Sequence, residues 1–78
     1  MPYTQNIVDE INILVLYNLS TTQEGIKVHK NAAPESIAAT KRLYDKGLVT
    51  QEDGGYLTTL GHEAAEQAQA VLSLLNPA

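Results

Sequence analysis

Arg42-Leu43-Tyr44-Asp45-Lys46-Gly47-Leu48-Val49, followed by Asp53-Gly54-Gly55-Tyr56-Leu57-Thr58 and Gly61-His62-Glu63, decides the fold of this chain. The first segment reads as the end of a helix stopped by Gly47, a glycine placed to adopt the left-handed conformation that closes a helix. Leu48 to Glu52 and Tyr56 to Thr58 read as two short strands. Asp53-Gly54 between them is a strong two-residue hairpin signal. Thr58 or Thr59 then caps a final helix, whose stripe is Ala64, Ala68, Val71, Leu72 and Leu75, and Asn76-Pro77 stops it. The order is helix, strand, tight turn, strand, helix.

Upstream, Pro34 suits the first position of the earlier helix, and Glu35 sits in its first turn, favourable to the helix dipole. At 100° per residue, Ile37, Thr40, Leu43 and Tyr44 share one side of this helix. Glu35, Ala38, Ala39, Arg42, Asp45 and Lys46 point the other way, with Lys41 on the flank. At the N-terminus, Thr4 is an N-cap, and Asp9 and Glu10 lie early enough to favour a helix dipole. Ile7, Ile11, Leu14 and Asn18 follow helical spacing, widened by Val8, Val15 and Leu19. The run Ile13–Tyr17 also has the β-branched character of a buried strand, but about fifteen apolar-rich residues without Gly or Pro favour a helix. Between these helices two readings compete. Thr21-Thr22-Gln23-Glu24 has capping-box spacing and predicts a short helix through Lys30, whereas Ile26-Lys27-Val28-His29 alternates like a strand. The short helix is the preferred expectation, with Asn31-Ala32-Ala33 as the turn into the next helix.

These elements predict an α+β, mainly α chain: a winged helix-turn-helix with a two-stranded wing hairpin and a C-terminal helix, residues 1–78 forming one winged-helix domain. Residues 34–66 resemble the recognition helix, wing and following helix of winged-helix regulators of the MarR and ArsR type. The residues that carry the likeness are Lys46-Gly47-Leu48-Val49 and Leu57-Thr58-Thr59-Leu60-Gly61. Over its whole length the chain also resembles a family of short, uncharacterised bacterial proteins, through Asn18-Leu19-Ser20-Thr21-Thr22-Gln23-Glu24-Gly25-Ile26-Lys27-Val28. The first resemblance implies DNA binding and transcription regulation. The second implies no activity, and a fold is a poor warrant for function.

Composition narrows the choices. Seventy-eight residues without Cys, Phe or Trp leave a modest aliphatic core stapled by neither disulfide nor thiolate-bound metal. No basic region precedes an apolar one at the N-terminus, and no apolar run approaches the length of a membrane span, so a cytoplasmic protein that avoids membranes is expected. The formal charge of −4 disfavours a polyanionic partner. Its distribution is uneven, since all five basic residues, Lys27, Lys30, Lys41, Arg42 and Lys46, fall between positions 27 and 46 with only Glu35 and Asp45 as acids.

In a winged-helix docking mode the helix starting at Pro34 enters the major groove. Lys27, Lys30, Lys41, Arg42 and Lys46 are then the candidate nucleic-acid-binding residues, with Arg42 the best base reader. The predicted hairpin tip, Gln51-Glu52-Asp53-Gly54-Gly55, opposes this by facing phosphates with two carboxylates. Five cations allow a log–log salt slope of at most about −4 to −5 for a monomer. No catalytic or cofactor signal accompanies them. His29 and His62 are far apart and lack the i, i+4 histidine pair of a helical zinc site, His62 and Glu66 read as a surface pair, and Ser20 and Ser36 lack an adjacent base. The expectation is a non-enzyme with two competing roles: a DNA-binding protein of transcription-regulator type, or a winged-helix module that binds protein and no nucleic acid. The final helix either closes the core or pairs two copies into a homodimer, and Leu74, off its main stripe, is the residue expected to make an exposed contact.

Overall fold

The computed structural model describes residues 3–20 and 25–76. Its elements are α1 (Gln5–Leu14), β1 (Ile26–Lys27), α2 (Pro34–Asp45), β2 (Val49–Gln51), β3 (Gly54–Leu57) and α3 (Thr59–Leu75). The chain is therefore α+β and mainly helical, with three helices around a small antiparallel sheet in a winged-helix-like layout. The strands lie in the order β1-β3-β2, so the hairpin gains a third, very short strand at its edge.

Thr4 caps α1, its hydroxyl accepting from the Ile7 amide at 3.2 Å. The helix is shorter than the apolar run predicts. After Leu14 the amides of Leu16 and Tyr17 bond back to Ile13 and Leu14, three residues away, which tightens the last turn. This swings the Tyr17 ring into the core beside Ile13 and Leu14. The Asn18 side chain then accepts from both the amide and the hydroxyl of Ser20 and supports the change of direction.

The short helix expected through Lys30 is replaced by β1. Thr21–Glu24, the proposed capping box, lies outside the described residues. Ile26 pairs with Gly55 and Lys27 with Gly54, and the Val28 amide donates to the Asp53 carbonyl at 2.8 Å. Pairing to β3 satisfies backbone groups that a helix would have paired internally, and it buries Ile26 and Val28 partly while Lys27 and His29 stay exposed. The alternation of Ile26-Lys27-Val28-His29 matches the outcome. The turn at Asn31-Ala32-Ala33 therefore joins a strand to α2.

Around the hairpin the sequence reading holds with a small shift. Gln51 pairs with Gly54, so the two turn residues are Glu52 and Asp53, one earlier than expected, and the register slips between Val49 and Gln51. Gly54 and Gly55 follow the turn with φ of 121° and 70°, which explains the glycine pair there. At the end of α2, Gly47 has φ 78°. Its amide bonds to Tyr44 and the Leu48 amide to Leu43, a Schellman closure that satisfies the last carbonyls of the helix. Thr58 completes the junction, accepting from the Gly61 amide at 3.0 Å and donating to the Gly47 carbonyl at 2.6 Å. One hydroxyl thus ties the end of α2 to the start of α3.

Ile13, Leu14, Tyr17, Ala39, Leu43, Val49 and Ala65 form the buried core, backed by Leu19, Ile26, Val28, Leu48, Leu57 and Ala64. Among the described residues, no helix is long and apolar enough to cross a membrane.

Candidate functional site

The five basic residues do not act as one group. Lys27 lies exposed on β1, Lys30 in the loop that follows, and Lys41 on the outer face of α2. Arg42 and Lys46 turn back toward α1. Arg42 Nε donates to Glu10 Oε2 at 2.9 Å, and Arg42 also reaches the Asn6 carbonyl at 3.2 Å. Lys46 holds the other Glu10 oxygen. Both oxygens of one carboxylate are thereby occupied by two cations placed one turn apart on α2. Arg42, the expected base reader, is engaged in this intramolecular ion pair.

Glu10 itself is buried, at 6% exposure, and past the first turn of α1, so it does not serve the helix dipole. Burial alone pushes its carboxyl up. The hydrogen bonds and charges of Lys46 and Arg42 outweigh that effect and hold it below its ordinary value. A sequence signal for this clasp did exist: Glu10 falls between Ile7 and Leu14 on the apolar stripe of α1, where a carboxylate requires a partner.

The clasp also rotates α2 relative to the predicted face. Ala39, Thr40 and Leu43 point inward, while Ile37 and Tyr44 are about two-fifths exposed. Ala39 is small enough to let α1 approach, and Glu10 draws the Arg42 edge toward it. The outer face of α2 consequently presents Ile37, Ala38, Lys41, Tyr44 and Asp45. One lysine and one aspartate amid apolar side chains make a poor match to phosphate.

At the hairpin, Glu52 is exposed and Asp53 half-buried, so the tip carries the two carboxylates expected from its sequence. A groove of about 220 Å³ separates this tip from α2, floored by Val28 and Ile37. Beneath the hairpin, burial and then the charge of Asp53 push the Tyr17 hydroxyl up to about 12. That hydroxyl has no hydrogen-bond partner among the described residues. His62 Nδ1 lies 2.8 Å from Glu66 Oε1, the surface pair expected from their spacing.

The final helix departs furthest from a core role. Gly61 and Ala65 are buried, but Val71, Leu72, Leu74 and Leu75 are 53%, 37%, 81% and 72% exposed. The stripe closes the core over its first turns and then leaves it. Gln69 Nε2 donates to the Tyr17 carbonyl at 2.9 Å, tying the turn after α1 to the middle of α3 just before this apolar segment.

A family model described as a family of unknown function (DUF5669) matches residues 1–76, and the chain belongs to that family. No curated protein matches the chain, and no solved structure does.

Proposed function

We propose that this chain is a protein-interaction module of winged-helix layout with no catalytic role, and that its first partner is a second copy of itself. The observation that carries this reading is the free distal half of α3. Val71, Leu72, Leu74 and Leu75 are exposed together on a segment that has no charged residue after Glu66. Contiguous exposed aliphatic surface is a mark of interaction sites. A neutral, apolar helix face is self-complementary, because a two-fold axis brings each residue against its own kind without charge repulsion. A standard interface takes about 800 Å² per partner, roughly one seventh of the 5446 Å² surface of this chain.

Binding to duplex DNA as a transcription regulator is the second reading, favoured by one observation: Lys27, Lys30 and Lys41 are exposed and enter no ion pair among the described residues. Three phosphate contacts give a log–log salt slope near −3 per chain, against nearly −5 if Arg42 and Lys46 took part. The Glu10 clasp and the acidic hairpin tip weigh against tight binding by one copy.

Sedimentation velocity across a concentration series, paired with fluorescence anisotropy on random duplex DNA at low and moderate salt, separates the readings. The interaction reading predicts a dimer that Leu72→Glu with Leu75→Glu returns to monomer, and no saturable DNA binding at tens of micromolar. Saturable DNA binding that weakens with Lys41→Ala, by a chain that stays monomeric, overturns it in favour of the second.

A further inference from the structure

We propose that the groove between α2 and the β2–β3 hairpin binds a small zwitterion with a branched aliphatic side chain, an amino acid or a short dipeptide. The groove encloses about 220 Å³ and its floor is apolar, made by Val28 and Ile37. Lys30 and Lys41 border it from the loop and α2, and Glu52 and Asp53 border it from the hairpin turn. None of these four groups forms an ion pair among the described residues. Two residues of each sign therefore border one small apolar floor without pairing with each other.

That arrangement discriminates between ligands. An anion such as a nucleic-acid phosphate or an acidic peptide is attracted by the lysines and repelled by the hairpin. A cation meets the reverse. A molecule bearing both charges places its carboxylate toward Lys30 and Lys41 and its ammonium toward Glu52 and Asp53, and its side chain covers Val28 and Ile37. His29 lines the same groove and adds a hydrogen-bonding ring. Because the groove is open and the ligand small, the dissociation constant expected is on the order of 1 mM. The site is separate from the distal half of α3, so its occupancy is tested independently of pairing.

The test is an NMR titration of the full chain with L-leucine and with leucyl-alanine, the dipeptide reading the wider charge separation. Saturable shifts of Val28, Ile37, Lys41 and Asp53 with either compound are expected. N-acetyl-leucine, which lacks the ammonium, and leucine methyl ester, which lacks the carboxylate, should each bind at least about tenfold more weakly, the loss expected when one ionic contact disappears. Glu52→Gln alters an exposed turn residue and should weaken leucine while sparing N-acetyl-leucine. Lys41→Ala should weaken leucine while sparing the ester. Absence of saturable shifts with both zwitterions up to about 50 mM, well above the affinity expected of such a ligand, overturns the proposal. So does equal binding of leucine and N-acetyl-leucine, which would mark simple apolar contact.

Discussion

Thr59–Ala65 and Val71–Leu75 belong to one continuous helix, yet the first packs against the rest of the chain and the second is exposed. The proximal half begins at the Thr58 cap, buries Gly61 and Ala65, and lies so close to the α2–β2 junction that a methyl group on Gly61 would sit 1.8 Å from the Leu48 carbonyl oxygen. Four large aliphatic side chains of the distal half face solvent. Packing determines where the proximal half sits, whereas the distal half costs little to alter within one chain and is the surface proposed above to meet a second copy. The same contrast divides α2, whose Arg42 edge is clasped by Glu10 while its Ile37–Lys41–Tyr44 edge is open.

Substitutions can break this contrast in a graded order. Gly61→Ala should be the most damaging, since backbone atoms of Leu48 must shift to admit the new carbon. A loss of about 3 kcal/mol or more in chemical denaturation is expected. Glu10→Gln leaves Arg42 and Lys46 facing a neutral amide. With both cations partly exposed, the cost should be about 1–3 kcal/mol, below that of a fully buried pair.

This second variant also has a pH signature. The folded-state value of Glu10 lies below its unfolded value, so its contribution is complete above the ordinary carboxyl value of 4.5 and is lost as pH falls through the lowered folded value. Wild type should lose stability in that acid window more steeply than Glu10→Gln, in parallel urea titrations. Gly47→Ala forces a side chain into φ 78° with open space around it, so strain alone should cost about 1–2 kcal/mol in thermal or urea unfolding. Leu74→Ser on the distal half should shift monomer stability by no more than about 0.5 kcal/mol. A large loss at Leu74 in dilute monomer would erase the distinction between the halves.

Local signals were legible in the sequence wherever one residue type meets a backbone requirement. Gly47 closes α2, Thr58 caps α3, Pro34 starts α2, and Gly54-Gly55 mark the hairpin, all without reference to distant residues. What escaped was set by partners far along the chain. The face of α2 depends on Glu10, 32 positions before Arg42, so periodicity placed Ile37 and Tyr44 inside and Ala39 outside. The segment at Ile26 is set by pairing with β3, which lies far along the chain. For α3, periodicity identified the apolar face and could not tell which part of it the rest of the chain covers. The candidate site was legible to the same degree: the basic residues could be named, but which of them remain unpaired is a tertiary fact.

Amide hydrogen exchange followed across a dilution series tests the central claim, that the distal half of α3 is an interface between copies. Protection at Val71–Leu75 should rise with protein concentration while Thr59–Ala65 stays equally protected throughout. Exchange at Val71–Leu75 that is independent of concentration up to the millimolar range would contradict it.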